Sequence, residues 1–236
     1  MSEPLLALEG LFVDYVGVPA VRDVTLGVGA GEIVGLVGPN GAGKSTTLLS
    51  IMGVQRPASG DVRLDGRSIV GESPDVIARR GIGLVPEGRH IFPEFSVAEN
   101  MKLGTLGRPD DASEVDIEWV ESLFPVVSHF GSRPAGALSG GQQQQVAIAR
   151  ALVGAPRVLL LDEPSLGLAP KLVETLFETL TVVRGRGVAI LLVEQRARLT
   201  VSFADRTHVM RNGELVETLG PEDAGDIERM RHAYFG

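Results

Sequence analysis

Three short runs of residues have the types and spacing to do chemistry on a phosphate. Gly38-Pro39-Asn40-Gly41-Ala42-Gly43-Lys44-Ser45 follows the order glycine, four residues, glycine, lysine, serine. Its glycines let backbone N–H groups turn inward onto phosphate oxygens, Lys44 is spaced to reach the β- and γ-phosphates, and Ser45 offers a hydroxyl to Mg²⁺. The second run, Val158-Leu159-Leu160-Leu161-Asp162-Glu163-Pro164, is an apolar stretch ending in two acids. Asp162 is placed to hold Mg²⁺ through water and Glu163 to polarise an attacking water as general base. In the third, Leu138-Ser139-Gly140-Gly141-Gln142, a serine and two glycines stand ahead of an amphipathic segment, an arrangement that exposes N–H groups at a positive helix end. Taken alone, Ser-Gly-Gly is also an ordinary helix start.

These residues act only if the chain brings them together, and the hydrophobic pattern says how. Apolar runs Ile33 to Val37, Val158 to Leu161 and Ala189 to Val193 read as buried parallel strands. The glycine-lysine run directly follows the first of them and precedes a helix-like stretch from Thr46 to Met52. Residues 5 to 30 alternate as short antiparallel strands do, and Asp61 to Gly66 reads as a strand entering an Asp-Gly turn. Asn212-Gly213 joins Thr207 to Met210 with Leu215-Val216 as a late hairpin. From about Pro93 to Leu152 the spacing turns helical, with segments Val115 to Phe124 and Gln142 to Val153. The expected class is α/β: a parallel core with helices on both faces, an N-terminal antiparallel β layer and an inserted helical subdomain.

Composition narrows the function classes. The chain has 236 residues, enough to bury a substantial core, and its apolar runs are far shorter than a membrane span. Met1-Ser2-Glu3-Pro4 does not begin a secretory signal, so a cytoplasmic address is expected. With no cysteine and four scattered histidines, neither a disulfide nor a structural metal site is expected. A net charge of −8 opposes sequence-independent nucleic-acid binding.

The order glycine-lysine loop, Leu-Ser-Gly-Gly-Gln, Leu-Leu-Leu-Asp-Glu-Pro resembles the ABC ATPase family from Tyr15 to about Glu214. That resemblance implies a P-loop fold in which residues 1-92 and 153-236 form a RecA-like core with its β layer and about 93-152 form the helical signature subdomain. It also implies ATP and Mg²⁺ as cofactors. Gly38, Pro39, Asn40, Gly41, Ala42, Gly43, Lys44, Ser45 and Thr46 would hold the phosphates. Ser139, Gly140, Gly141 and Gln142 would reach a nucleotide bound by a second ABC ATPase subunit, and Tyr15 would stack on adenine, or else serve as a core tyrosine. Glu163, Lys44, Gln195 and Glu87 would be the catalytic group, and Ser45, Asp162 and Glu87 would hold the metal.

Three departures sharpen the resemblance. Glu87 stands where most members have a glutamine, Gln195 where most have the switch histidine, and Pro164 to Pro170 lacks the usual aspartate. Together they are similar to one of the two ATP-binding subunits of branched-chain amino acid importers, whose sister subunit is a different chain. The extra carboxylate at Glu87 calls for an offset by Mg²⁺ or Arg89. Implied partners are transmembrane permease subunits and, indirectly, an extracytoplasmic solute-binding protein, with the chain peripheral on the inner face of the membrane. Ile91, Phe92 and Phe95 would either anchor a permease helix or pack inside the helical subdomain. Rival expectations are an importer for urea, short amides or other amino acids, a soluble non-transport ABC ATPase, and a non-hydrolysing nucleotide switch.

Overall fold

A computed structural model describes residues 3–109 and 116–235. Two sheets carry the fold. The N-terminal sheet joins β1 (Leu6–Tyr15), β2 (Val18–Val28), β4 (Ser59–Leu64) and β5 (Arg67–Ser68), all antiparallel, in the order β2-β1-β4-β5. The second sheet contains β3 (Ile33–Val37), β6 (Ile82–Val85), β7 (Val158–Asp162), β8 (Ala189–Glu194), β9 (Arg206–Arg211) and β10 (Glu214–Leu219). Its order is β10-β9-β3-β8-β7-β6, parallel from β9 to β6 with β10 antiparallel at the edge.

Every residue of β3, β7 and β8 is buried. Both faces of these strands are covered, which is why they read as unbroken apolar runs rather than alternating ones. Period-two alternation then divides their side chains. Leu159, Leu161, Ile190 and Leu192 face one cluster, built with Val97 and Met101 of α3 (Val97–Gly104), Val120 of α4 (Ile117–Leu123), Val146 of α6 (Gly140–Leu152) and Phe177 of α7 (Pro170–Gly185). Val34, Leu36, Leu160 and Leu191 face the other, shared by the antiparallel sheet and by α1 (Lys44–Ile51) and α2 (Pro74–Arg79). The expectation of helices on both faces therefore needs one amendment. One face is covered jointly by helices and by the N-terminal sheet, whose inward residues Leu6, Leu8 and Leu11 are fully buried there.

Among the described residues the regular elements between β6 and β7 are all helical, joined by turns and irregular loops, with α5 (Val126–His129) completing the set. Val115, placed at the start of a helix by the sequence pattern, lies outside the described residues. α3 begins on a reciprocal cap between Ser96 and Glu99, and α6 on the same device between Ser139 and Gln142. Beyond β8 come α8 (Ala197–Phe203) and, after the late hairpin, α9 (Ile227–Phe235). Neither α2 nor α9 stands out as a periodic segment in the sequence. Among the described residues no helix is long and apolar enough to cross a membrane.

That hairpin holds a buried ionisable group. His208 on β9 is 9% exposed, its Nδ1 lies 2.9 Å from Thr218 Oγ1, and its Nε2 has no hydrogen-bond partner among the described residues. Burial, helped by the nearby Arg206 charge, lowers its pKa to about 4. The unfolded chain protonates this imidazole near pH 6.5 while the folded chain resists until about pH 4. Stability is therefore unaffected above pH 6.5 and falls as the pH drops through that window, by up to about 3 kcal/mol. His208→Gln is expected to flatten this dependence. In melts between pH 7 and 4.5 the parent should lose several degrees more than the variant, and parallel curves would sink the assignment.

Candidate nucleotide site

Strand register assembles the site. In the parallel sheet Val37 pairs with Glu194, Asp162 with Val193, and Val85 with Leu161. Strands β3, β8, β7 and β6 thus end side by side and deliver Gly38, Gln195, Glu163 and Glu87 to one edge of the sheet. An open parallel sheet binds ligands at this carboxyl edge. A cleft of about 290 Å³ lies there, lined by Asn40, Gly41, Lys44, Ser45 and Thr46 from the loop, by Glu87, Glu163 and Gln195, and by Ala20 of β2.

The loop leaves β3 and enters α1 without room for side chains at two glycines. A Cβ on Gly38 would lie 2.1 Å from the Met210 carbonyl oxygen, and one on Gly43, at φ 108°, 2.4 Å from that of Ala20. Both obstacles are backbone, so neither can rotate away. Gly38→Ala is expected to lower stability by about 2–4 kcal/mol, roughly 5–15 °C in melting temperature, because the loop must leave β9. A melt superposable on the parent's would show that the loop has more freedom than this packing allows.

Lys44 heads α1 and is 4% exposed. Its ammonium donates to Gly38 O at 2.9 Å and Pro39 O at 3.2 Å and stands 3.7 Å from Glu163 Oε1. These bonds curl the loop around the lysine and aim the charge into the cleft. Glu163 has φ +48°, a left-handed conformation uncommon outside glycine. It is pinned by its N–H donating to Val193 O at 2.9 Å and its carbonyl accepting from Leu166 N at 3.1 Å. Such a backbone costs about 1–2 kcal/mol per residue and turns the side chain back over the loop. Oε2 of Glu163 accepts from Gln195 Nε2 at 2.6 Å. Gln195 is itself fixed by Glu194, which is 2% exposed and accepts from Ser165 N at 2.9 Å and Gln195 N at 3.2 Å.

Asp162 sits behind the cleft beside Ser45, to whose hydroxyl it is hydrogen-bonded. Burial raises its pKa, the Ser45 bond works against this, and the charges of Glu163 and Glu87 raise it further. One of its oxygens, Oδ1, is buried without a partner among the described residues. Asp162, Glu163 and Glu87 thus gather at a cleft that holds one ammonium, and one buried carboxylate oxygen is left without a partner among the described residues. A divalent cation fits this deficit. Among the described residues there is no cluster of three metal-binding His, Cys, Asp or Glu side chains, so the remaining ligands of such a cation would be water and phosphate oxygens.

Arg89 does not supply the offset that Glu87 requires. Gly88, Arg89 and His90 all have positive φ, and the turn they make carries the Arg89 guanidinium away to α6. There Nη1 donates to Gln143 Oε1 at 3.2 Å, and Nη2 would lie 3.0 Å from a Cβ on Gly140. Glu87 belongs to no ion pair among the described residues, so a bound cation would be its counter-charge. Arg89 instead ties the Glu87 turn to the head of the signature helix.

Ser139, Gly140, Gly141 and Gln142 open α6 as a capped N-terminus, with Gln142 N donating to Ser139 Oγ at 3.4 Å. None of them lines the cleft. Tyr15 is 44% exposed at the tip of the β1–β2 hairpin, outside the lining, so its role as a core tyrosine is excluded by exposure. Phe92 and Phe95, 47% and 43% exposed, stack with ring centroids 5.5 Å apart, whereas Ile91 packs against the core. Phe92 lines a second, apolar groove of about 470 Å³ between β6, α3 and α6. Arg150 reaches into it with Nη1 buried and unpartnered among the described residues. Motif reading missed Glu194, Arg150 and Tyr234 of α9, which touches Gln195. Glu194 alone had a local signal, as an acid closing an apolar strand.

Comparison with known proteins agrees with this geometry. Residues 21–166 match the family model described as ABC transporter. The high-affinity branched-chain amino acid transport ATP-binding protein BraG of Pseudomonas aeruginosa is 42% identical over 236 residues, spanning 98% of this chain and 100% of its own. The lipopolysaccharide export system ATP-binding protein LptB of Haemophilus influenzae is 35% identical over 98% of this chain and 97% of its own. Among solved structures, the ADP conformation of MJ1267, an ATP-binding cassette of an ABC transporter, superposes with a TM-score of 0.84 at 27% identity over the whole of both chains.

Proposed function

Because the chain belongs to the ABC transporter ATP-binding family, as an ATPase subunit, we propose that it powers uptake of branched-chain amino acids through two permease partners. The observation that carries the cargo assignment is the end-to-end 42% identity to BraG, against 35% to LptB. The substitutions at Glu87 and Gln195 add to it. Uptake of labelled leucine by cells lacking the gene tests the reading. Loss of high-affinity uptake, restored by the parent gene, supports it. Normal uptake overturns it.

The site residues divide the work as follows. Loop amides from Gly38 to Thr46, the α1 N-terminus and Lys44 bind the triphosphate. Ser45 and Asp162 would hold Mg²⁺, with Glu87 as a further carboxylate of the lining, and the bound cation would supply charge neutralisation of the phosphates. A phosphate oxygen at the loop mouth competes with Glu163 for the Lys44 ammonium. Glu163 is then released to accept a proton from water, and the Gln195 amide keeps its carboxylate aimed. Tyr15, on the exposed hairpin tip, stacks on the base.

The described lining of the cleft takes phosphate donors from the glycine-lysine loop and none from Ser139 to Gln142. Ser139 to Gln142 lie elsewhere on the same chain, so they serve a nucleotide on a second ATPase subunit, and that subunit's equivalents serve this one. Closure of the pair around ATP and its opening after hydrolysis are then two states with different ligand contacts. The groove holding Phe92 and Arg150 receives a permease helix, with Phe92 and Phe95 as apolar anchors.

A further inference from the structure

One side chain from the far end of the sequence reaches the cleft. The Tyr234 hydroxyl of α9 donates to the Gln195 carbonyl at 3.1 Å and lies beside the backbone of Gly38, the first residue of the phosphate loop. Its ring packs on the small apolar cluster of Val37, Val201 and Val209, under the junction of β3, β9 and α8. A single phenol therefore bridges two of the strand ends that build the site, those of β3 and β8. Gln195 in turn donates to Glu163, so only one residue separates α9 from the carboxylate.

The other contacts of the Gln195 turn are local: its N–H meets Glu194, and its carbonyl accepts from Ala197 N at 2.9 Å. Tyr234 is the contact that refers this turn to the phosphate loop. Burial, with the charges of Glu163 and Glu194, pushes its pKa up to about 12, so the hydroxyl stays a donor throughout the physiological range. α9 itself is held from outside the cleft, where Arg229 pairs with Glu217 at 2.7 Å and with Asp223. These pairs are exposed and screened by salt, so the helix is fastened less firmly than the strands it bridges.

We infer that Tyr234 is a positioning residue: with its ring seated on the Val37 cluster and its hydroxyl on the Gln195 carbonyl it holds the Gln195 amide against Glu163, and the seating of α9 thereby sets the rate of hydrolysis rather than nucleotide affinity. The inference rests on the roles given above to Glu163 and Gln195. It deepens them by assigning control of the carboxylate's aim to a helix outside the cleft.

Tyr234→Phe keeps the ring on its apolar bed and deletes the hydrogen bond to Gln195. In the full chain, turnover of Mg-ATP is expected to fall about fivefold to tenfold, the scale of a lost hydrogen bond, with KM for ATP essentially unchanged. Amide exchange across residues 194–197 should accelerate while that of β7 does not. In a Gln195→Ala background the same substitution should change nothing further, since no amide remains to be placed. Parent-level turnover, or an equal loss with and without Gln195, overturns the inference.

Should Tyr234→Phe fail to fold, Arg229→Gln loosens α9 from its exposed side. A smaller loss of turnover with the same exchange signature upholds the bridge, and faster exchange in α9 with full turnover overturns it. Failure of the underlying site reading looks different, because Glu163→Gln would then hydrolyse ATP normally whatever happens at residue 234. The exchange measurement reports the bridge independently of catalysis.

Discussion

Glu163→Gln is expected to bind ATP at least as tightly as the parent and to turn it over about a hundredfold more slowly or worse, the scale of a lost general base. The substitution is nearly isosteric, and the left-handed backbone at φ +48° is held by main-chain bonds to Val193 and Leu166 that a glutamine leaves intact. The side-chain carbonyl that the substitution introduces can still accept from Gln195 Nε2. Lys44 loses a carboxylate at 3.7 Å but keeps Gly38 O and Pro39 O, so the loop retains its shape. One negative charge also leaves a cleft where Asp162 and Glu87 already oppose a triphosphate. Only proton acceptance disappears. Calorimetry with ATP and measurement of phosphate release separate the two effects. Release at the parent rate would remove Glu163 from its role and shift attention to Glu87, the other carboxylate of the lining.

What could be read in advance was whatever depended on neighbours in sequence. The glycine-lysine loop is contiguous, and its helix begins within it at Lys44, two residues earlier than the apolar pattern suggests, because Gly43 supplies the left-handed entry. β3, β7 and β8 announce themselves because strands buried on both faces need no polar alternation. β6 was hidden by its length: Ile82–Val85 includes a glycine and carries too few residues to show a period. The direction of Arg89 could not be inferred from its proximity to Glu87, since three successive positive φ values reverse the chain between them and α6. Tyr234 and Gln195 are 39 positions apart, and nothing in either segment marks the other. Contacts of that kind come from packing α9 and α8 on the same apolar cluster, a property of the assembled layers rather than of any run of residues.

Lys44→Ala is expected to weaken ATP binding by about tenfold to a hundredfold or more, the equivalent of about 1.5–3 kcal/mol for a hydrogen bond to a charged group, and to abolish measurable turnover. The bond energy is a lower bound for three reasons visible in the cleft. Two loop carbonyls, Gly38 O and Pro39 O, lose the donor that curls the loop around the ligand. Glu163 loses its cation and remains 8% exposed beside Asp162, itself disfavoured as an anion by burial. The site then presents three carboxylates and no ammonium to a triphosphate, so more of its affinity falls to the divalent cation. The variant should therefore depend more steeply on Mg²⁺ concentration than the parent does, whereas Glu163→Gln should depend on it less. Titrating both variants with ATP over a range of Mg²⁺ concentrations checks this opposition directly. Equal Mg²⁺ dependence in the two would mean that Lys44 and Glu163 do not share one electrostatic site, and the arrangement of roles built on their 3.7 Å contact would fall.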